Sequence, residues 1–477
     1  MELSFDVIIV GAGPAGIFTA YELTNKSPQT KVLLVDKGKN IYERNCPILE
    51  KKIDKCPENK NGIQGCQNGC SITGGFGGAG AYSDGKFNIT SEFGGWLGEY
   101  LDDDEVNALI LDVDAINLEH GAPKTITDPN TVPVQEIATK GAKHGLKLLK
   151  ANVRHLGTER NLDILKSIYE TLKNKITMAF GTTVEDILLR DDTVGGVRTR
   201  HKGTVYYVYA NHVVLAPGRD GASWLEQLCK THGIPLSNNQ VDIGVRVETS
   251  NEIMETINTH LYEGKFLYQT SLGTQVRTFC ANPGGHVVIE NHSGTMLANG
   301  HAFSDVDKKS ANTNFALLVS HNFTEPFKRP SDFAHRLSSL ANMLSDGSLI
   351  IQTYGDLKKG RRTTEKRLNE SFVKPTLKEA RPGDLGLVLP YNTMISIIEM
   401  IEALESVTPG IASLHTLLYG VEAKFYSARP RLSPSLESDV KGLFFGGDGA
   451  GITRGLAQAG ACGIKIARSI LEKDVKQ

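Results

Sequence analysis

The sequence lacks a charge excess of one sign and lacks any long apolar run, and each absence excludes a class of protein. Among its 477 residues are 52 Lys or Arg and 54 Asp or Glu, which gives a net charge of −2. Because nucleic acids reward a strongly positive surface, we expect no nucleic-acid partner. No segment approaches the roughly 20 apolar residues of a membrane-spanning helix, so we expect no membrane partner. The first residues also lack the basic start of a signal peptide, which predicts a cytoplasmic protein.

Cysteine is scarce too, with seven residues in the whole chain. An odd, small number in a chain of this length is typical of reduced thiols rather than of a disulfide scaffold. Four of them, Cys46, Cys56, Cys66 and Cys70, fall in one stretch. They could be free thiols, ligands of zinc or of an iron–sulfur cluster, or include a redox pair formed by Cys66 and Cys70. We expect no shared metal centre, and we expect Cys66 and Cys70 to be the closest pair.

Glycine is abundant, and its first cluster follows directly after an apolar run. Residues 5–10 read as a buried parallel strand, and Gly11-x-Gly13-x-x-Gly16 opens a helix. A second strand ends at Asp36. This arrangement predicts a Rossmann-type nucleotide site, with pyrophosphate at the helix N-terminus and Asp36 on the adenosine ribose. The charge of Asp36 should also disfavour a 2′-phosphorylated nucleotide.

Two later segments indicate which nucleotide binds. Residues 442–451 resemble the second FAD fingerprint of the glutathione-reductase-like flavoproteins, in which a strand delivers an Asp, here Asp448, to the ribitol chain. The helix that begins near Arg454 would then point its N-terminus at the flavin ring, where reduced flavin carries negative charge. Residues 212–218 resemble the middle fingerprint of the same proteins. The three segments in this order predict FAD.

A glycine-rich loop at residues 74–86 is predicted to cover the flavin or its pyrophosphate, because consecutive glycines let the backbone lie close to a ligand. Together with residues 277–285, 424–429 and 447–456, this loop resembles the FAD-dependent dehydrogenase family, whose members are often labelled NAD(FAD)-utilising dehydrogenases. The resemblance extends over nearly the whole chain. It implies FAD and a flavoprotein fold with an inserted domain, and it implies no particular substrate.

The predicted fold class is α/β, a Rossmann-like FAD-binding domain with an inserted α+β substrate domain. The predicted FAD-binding domain comprises residues 1–100, 176–241 and 389–477, with a helical excursion at 101–175 and the inserted domain at 242–388. The predicted cofactor-binding residues share a place in one of these motifs or beside it: Gly11, Gly13, Pro14, Ala15, Gly16, Asp36, Lys37, Gly77, Gly78, Ala79, Gly80, Ser83, Asp84, Val184, Ala216, Gly218, Gly447, Asp448, Arg454, Gly455, Leu456 and Ala457.

Candidate catalytic residues are Arg277, Tyr426 and Arg429, since arginine suits an anionic substrate and tyrosine can donate a proton. Ordinary surface ion pairs would explain the same arginines equally well. The basic run at residues 358–362 is predicted to be a solvated loop. The alternative interpretation is a positively charged surface that attracts anions toward the substrate pocket.

The predicted reaction is hydride transfer between flavin N5 and a small organic substrate. The chain has no second Gly-x-Gly-x-x-Gly behind a strand. Electrons must therefore come from the substrate, from NAD(P)H docked at the flavin, or from a redox partner protein. The alternative functions are an electron-transfer protein that uses the cysteine cluster, and a flavoprotein subunit for RNA modification.

Overall fold

The computed structural model describes residues 3–47, 50, 52–53, 66, 70–83, 85–261, 264–292, 294–302, 305–324, 326–327 and 329–475. The chain divides into two compact units. Unit 1 contains residues 1–127, 151–237 and 427–477, and unit 2 contains residues 128–150 and 238–426.

The α-helices of the described residues are numbered in chain order: α1 (Pro14–Lys26), α2 (Asp103–Glu119), α3 (Val132–Ala142), α4 (Thr158–Leu172), α5 (Ala222–Thr231), α6 (Asn251–His260), α7 (Pro330–Leu344), α8 (Tyr354–Lys358), α9 (Glu365–Asn369), α10 (Tyr391–Leu404) and α11 (Leu456–Asp474).

The strands follow the same convention: β1 (Leu3–Val10), β2 (Val32–Asp36), β3 (Lys86–Ile89), β4 (Leu146–Leu149), β5 (Asn152–His155), β6 (Thr177–Phe180), β7 (Thr182–Arg190), β8 (Thr193–His201), β9 (Thr204–Leu215), β10 (Leu236–Ser237), β11 (Val241–Ser250), β12 (Lys265–Gln269), β13 (Gln275–Pro283), β14 (His286–His292), β15 (Thr295–His301), β16 (Asn312–His321), β17 (Ile350–Thr353), β18 (Arg381–Pro382), β19 (Leu417–Lys424), β20 (Arg429–Pro430) and β21 (Leu443–Phe445).

Unit 1 is built on a sheet in the order β6-β2-β1-β9-β8-β7, with β21 also paired to β9. The pairs β1–β2, β1–β9, β2–β6 and β9–β21 are parallel, whereas β7, β8 and β9 form an antiparallel meander. The central strand β1 ends in the fully buried run Val7–Ile9, as expected for a parallel strand covered on both faces. The predicted α/β class and Rossmann-like FAD fold are confirmed.

Small residues bring the first and last helices of unit 1 together. A Cβ atom at Gly463 in α11 would lie 2.2 Å from the carbonyl oxygen of Ala15 in α1, so no larger residue fits there. The Thr19 hydroxyl donates to the Gly463 carbonyl across the same contact at 3.0 Å. This close packing fixes α1 and α11 against each other, and with them the loops that lead into both helices.

Unit 2 is built on a sheet in the order β18-β17-β19-β11-β16-β13-β12-β4, and a separate hairpin joins β14 to β15. One face of β11 and β16 is apolar, through Val245, Val247, Phe315 and Leu317, and belongs to the main core of this unit. The other face of β11 carries Asp242, Arg246 and Glu248, all buried. Buried charges of this kind require partners. Arg246 pairs with Glu422, Arg277 pairs with Asp242, and Glu248 accepts hydrogen bonds from neutral side chains.

The unit boundaries differ from the predicted domain limits. Residues 389–426, predicted for the FAD domain, lie in unit 2, because β19 is inserted between β17 and β11. The predicted helical excursion at 101–175 is divided between the two units and includes strands. Its segment 128–150 lies in unit 2, where β4 is an edge strand and pairs with β12.

Candidate cofactor-binding site

The turn between β1 and α1 has the geometry that the glycine motif predicts. Gly11 has a φ of +104°, and a Cβ atom there would lie 2.1 Å from the carbonyl oxygen of Ala216. Gly13 precedes α1, Pro14 begins it, and the first turn contains no acidic side chain. The N-terminus of α1 therefore presents free N–H groups and a partial positive charge, which suit a pyrophosphate.

Asp36 ends β2 and binds three backbone N–H groups. One carboxylate oxygen accepts from Ala12 at 2.8 Å, and the other accepts from Gly38 at 2.7 Å and from Gly75 at 3.0 Å. The predicted ribose contact is not tested by these bonds. They show a second role, because one carboxylate holds the glycine turn and the start of the glycine-rich loop in place.

Arg44 organises the rest of that loop and was missed by the sequence analysis. Its buried guanidinium donates to the carbonyl oxygens of Phe76 at 2.6 Å, Ile72 at 2.7 Å, Gly78 at 2.9 Å and Ser71 at 3.0 Å. Burial lowers the pKa of this guanidinium from its ordinary value. The bonds wrap the loop around one side chain. No local motif signals this, because all four partners are main-chain atoms.

The loop touches the glycine turn directly. The Gly77 N–H donates to the Ala12 carbonyl at 2.8 Å, and a Cβ atom on Gly78 would lie 3.0 Å from the Gly13 Cα. A Cβ atom on Gly80 would meet the Leu456 side chain at 2.6 Å. The structure thus brings residues 11–16, 77–80 and the start of α11 together, as the resemblance implies.

Asp448 follows β21 and is half-buried. The Thr453 hydroxyl donates to its Oδ1 at 2.8 Å, and the Arg219 guanidinium lies 3.8 Å from Oδ2. Burial raises the pKa of this carboxyl, against the opposing effects of Thr453, Arg454 and Arg219. Because the protein donates so few hydrogen bonds to this carboxylate, its oxygens are suited to accept hydrogen bonds from a ligand's hydroxyl groups.

A second buried acceptor lies in the first turn of α11. Gln458 is only 2% exposed, and its Nε2 faces the carbonyl oxygens of Phe93 at 3.3 Å and Ser91 at 3.5 Å. These two acceptors fix the orientation of the amide. Its Oε1 is buried and has no hydrogen-bond partner among the described residues. A buried acceptor left in this state points to a donor supplied by a ligand.

These observations fit FAD. The α1 N-terminus suits the pyrophosphate, Asp448 suits the hydroxyls of the ribitol chain, and Gln458 suits an N–H donor. Gly455 precedes α11, and the first turn of that helix, which includes Leu456 and Ala457, has no acidic side chain to oppose a negative charge on the flavin. A Cβ atom at Gly13 would meet only the Gly78 Cα at 4.0 Å, so the backbone there is open to a ligand.

The other predicted cofactor residues have varied surroundings. Ala216 donates its N–H to the Val10 carbonyl at 2.8 Å, and Gly218 and Gly447 have φ values of +66° and +76°. Lys37 forms an ion pair with Asp220 at 2.5 Å, and Val184 is buried in β7.

The remaining predicted cofactor residues lie near the loop and α11. The Ser83 hydroxyl donates to the Gly80 carbonyl at 2.8 Å, and Ala79 lies in a short 3-10 helix at residues 78–82. The Arg454 N–H donates to Gly94 at 2.7 Å. Asp84 lies outside the described residues.

Arg429 lies in unit 1, close to the segment that leads into α11. It forms an ion pair with Glu99 at 2.5 Å, and its guanidinium carbon lies 5.4 Å from the centre of the Trp96 ring. The Trp96 N–H donates to the Ile452 carbonyl at 2.7 Å, which ties this cluster to the start of α11. The Arg429 Nε is buried without a hydrogen-bond partner among the described residues.

Arg277 and Tyr426 lie in unit 2 and meet at Asp242, which the sequence analysis missed. The Tyr426 hydroxyl donates to the fully buried Asp242 carboxylate, and an Arg277 nitrogen lies 3.5 Å from the same oxygen. The Arg277 Nε is also buried without a partner among the described residues. Asp242 is 35 positions from Arg277 and 184 from Tyr426, so only the sheet pairing reveals the cluster.

Cys46, Cys66 and Cys70 are free thiols in the structure, and Cys56 lies outside the described residues. In the part of the chain that is described, no group of three or more His, Cys, Asp or Glu side chains could hold a metal ion. The relative spacing of the four sulfurs remains a prediction. None of the described helices has the length and apolar character needed to cross a membrane.

Comparison with known proteins agrees with this site. Residues 5–224 match the family model described as pyridine nucleotide-disulphide oxidoreductase, and residues 240–425 match the model described as FAD-dependent protein, C-terminal domain-like. An uncharacterized protein of Clostridium beijerinckii is 27% identical over 99% of this chain and 82% of its own length.

Solved structures with weaker similarity include Aspergillus oryzae formate oxidase, at 14% identity and a TM-score of 0.48 over 99% of both chains. E. coli quinol fumarate reductase is another, at 15% identity and a TM-score of 0.39, over all of this chain and 71% of that one.

The cofactor-binding site of unit 1, formed by residues 11–16, 77–80, Asp448 and Gln458, and the match over residues 5–224 together define an FAD-binding oxidoreductase. More narrowly, residues 240–425 are similar to the C-terminal domain of FAD-dependent proteins. The predictions of FAD as cofactor and of an oxidoreductase enzyme are therefore confirmed.

Proposed function

We propose that the protein transfers a hydride between FAD held in unit 1 and a small organic anion, such as a carboxylate. The observation that carries this proposal is the Arg429 guanidinium. Its Nε is buried without a partner among the described residues, in a cluster tied to the start of α11. A guanidinium is the side chain best shaped to bind a carboxylate through two hydrogen bonds.

Bound FAD supplies the two-electron chemistry, and the chain supplies orientation and charge. Arg429 binds the anionic group of the substrate. Beside it, burial raises the pKa of the Tyr100 hydroxyl, with Arg429 opposing the effect. Tyr100 therefore stays protonated at neutral pH and acts as a hydrogen-bond donor. The N-terminus of α11, which carries no acidic side chain in its first turn, stabilises negative charge near it.

The cluster in unit 2 has the same chemical character. The buried Asp242 carboxylate orients the Tyr426 hydroxyl and the Arg277 guanidinium, and it leaves the Arg277 Nε unpaired among the described residues. We infer that Arg277 and Tyr426 form an anion-binding group within unit 2, with Asp242 as the residue that positions them. Neither alternative function is favoured by the family-model matches, one of which is described as an oxidoreductase.

The test is anaerobic stopped-flow spectroscopy of the flavin band with NADH, NADPH and a panel of small carboxylates, each beside its neutral methyl ester. A carboxylate should reduce the oxidised flavin, or reoxidise the reduced flavin, more than tenfold faster than its ester. In Arg429→Met this preference should disappear, since a buried charge-assisted pair contributes about 2–3 kcal/mol. Arg431→Met, an exposed arginine of the same segment, is the matched control. Equal rates for acids and esters, or equal behaviour of the two variants, would refute the proposal.

A further inference from the structure

The turn that follows β9 in unit 1 carries a charged residue, Arg219, that none of the FAD motifs includes. Gly218 has a φ of +66°, and the Gly221 N–H donates to the Gly218 carbonyl at 3.1 Å. A Cβ atom on Gly221 would lie 2.5 Å from the Pro217 Cβ, so residues 217–221 are tightly folded. This turn, the 217–221 turn, therefore holds the Arg219 side chain at a fixed starting point.

The 217–221 turn packs against two of the segments that are predicted to hold FAD. A Cβ atom on Gly11 would lie 3.2 Å from the Pro217 Cα, in addition to its contact with the carbonyl oxygen of Ala216. A Cβ atom on Gly449 would lie 2.3 Å from the Gly218 carbonyl oxygen. The turn therefore touches both the glycine turn after β1 and the segment that follows β21, and it forms one side of the cofactor-binding site.

The Arg219 guanidinium lies near the N-terminus of α1. A Cβ atom on Gly447 would lie 3.3 Å from the Ala15 Cβ in the first turn of that helix, which places the next residue, Asp448, beside it. The Arg219 Nε is 3.8 Å from the Asp448 Oδ2, and 64% of the Arg219 side chain is exposed. The guanidinium is thus close to the expected position of the pyrophosphate and accessible to a ligand.

The charges of this site call for a cation when FAD binds. FAD brings a doubly negative pyrophosphate to a site that already contains the carboxylates of Asp36 and Asp448. The N-terminus of α1 offers the equivalent of about half a positive charge, which leaves the site negative. An arginine side chain can supply the missing charge, because its planar guanidinium donates two parallel hydrogen bonds to phosphate oxygens.

Lys37 is a second cation near the site, because it follows Asp36, but it already has a partner. Its Nζ lies 2.5 Å from an Asp220 carboxylate oxygen. Arg219 differs, because its separation of 3.8 Å from the Asp448 carboxylate is longer than a hydrogen bond. A ligand can therefore attract the Arg219 guanidinium without breaking a hydrogen bond between these two side chains.

We propose that Arg219 binds the pyrophosphate of FAD and changes its partner when FAD enters the site. In the absence of FAD, the guanidinium faces the Asp448 carboxylate. When FAD is bound, Asp448 accepts hydrogen bonds from the hydroxyls of the ribitol chain, and Arg219 donates to the phosphate oxygens. This assignment concerns cofactor binding within unit 1 and does not depend on the proposed hydride transfer.

The test compares FAD binding by the apoproteins of three variants and the wild type, using flavin fluorescence at low and at physiological salt. Arg219→Met removes the charge, and Arg219→Lys keeps it. The matched control is Arg190→Met, because Arg190 is exposed at the end of β7 in unit 1. We expect Arg219→Met to bind FAD about tenfold more weakly than the wild type and the control, since it loses a charge-assisted hydrogen bond. Arg219→Lys should recover part of this loss.

Two further measurements separate a pyrophosphate contact from a general structural role. Salt screens an exposed pair of charges, so the FAD affinity of the wild type should fall more steeply with salt than that of Arg219→Met. Phosphorus NMR of bound FAD should show shifted pyrophosphate resonances in Arg219→Met and unshifted ones in Arg190→Met. A merely structural contribution of Arg219 would change neither the salt dependence nor these resonances.

Three outcomes would overturn the assignment. Arg219→Met and Arg190→Met could bind FAD equally well, which would show that Arg219 does not contribute to binding. Arg219→Met could bind FAD more weakly with unchanged salt dependence and unchanged pyrophosphate resonances, which would assign the loss to the fold of the 217–221 turn. Arg219→Lys could bind as weakly as Arg219→Met, which would show that the positive charge has no part in binding. No substrate enters these measurements, so their failure leaves the proposed function to its own test.

Discussion

Two charged residues of the cofactor-binding site form hydrogen bonds with the main chain of unit 1. Asp36 accepts three main-chain N–H groups, and Arg44 donates to four main-chain carbonyls. Asp448 differs, because the one described hydrogen bond to its carboxylate comes from a side chain, the Thr453 hydroxyl. Asp448 is therefore the residue at which binding can be separated from folding.

Replacing Asp448 by Asn should weaken FAD binding and stabilise the apoprotein. A charge-assisted hydrogen bond is worth about 1 kcal/mol more than a neutral one, so FAD affinity should fall by about fivefold. Burial raises the pKa of Asp448, so its charged form costs stability once the pH rises through that pKa. The uncharged variant should unfold at a higher temperature at pH 7, and this difference should shrink below about pH 4.

Fluorescence titration with FAD and calorimetry of the apoprotein measure the two effects of this substitution. The control is Asp439→Asn, because Asp439 is exposed on the same segment of unit 1. An Asp448→Asn apoprotein that is less stable than the wild type at pH 7 would contradict the role assigned to burial.

At the scale of elements, the sequence predicts best where a local pattern determines the structure. The run Val7–Ile9 followed by Gly11 specifies β1 and the turn into α1, and Asp448 follows β21 as expected. By contrast, the sequence does not show that β4 and β19 join the sheet of unit 2. Their apolar character shows that they are buried, but it does not show which sheet they join. Arg44 and Asp242 escaped prediction because their partners are main-chain atoms or lie far away in sequence.

The ordered conformation of the glycine-rich loop should depend on Arg44. Arg44→Lys keeps the charge but loses the planar group that reaches four carbonyls, and it leaves buried acceptors unpaired. We expect FAD to dissociate at least tenfold faster, and limited proteolysis to cut within residues 71–83, which stay intact in the wild type. Arg160→Lys, at an exposed position of α4, is the control. Unchanged cleavage and dissociation in Arg44→Lys would show that other contacts hold the loop.

At the scale of the whole molecule, each unit has a hydrophobic core of its own. The core of unit 1 includes Ile8, Ile9 and Phe445, and that of unit 2 includes Val245, Leu317 and Ile397. Each unit can therefore respond separately to a ligand. The glycine motif, Asp448 and Gln458 all belong to unit 1, whereas Asp242, Arg277 and Tyr426 belong to unit 2.

This division predicts where FAD stabilises the chain. Hydrogen-exchange mass spectrometry of the apoprotein and the FAD-loaded protein should show the largest slowing in unit 1, at residues 11–16, 74–83 and 447–458. FAD at 100 times its Kd should add about 2.7 kcal/mol to the stability of the unit that binds it. Strands β11 and β16 of unit 2 should exchange at nearly the same rate in both states, because their amides already pair with each other along the sheet. If the slowing is instead greatest in β11 and β16, unit 2 and not unit 1 provides the main FAD contacts.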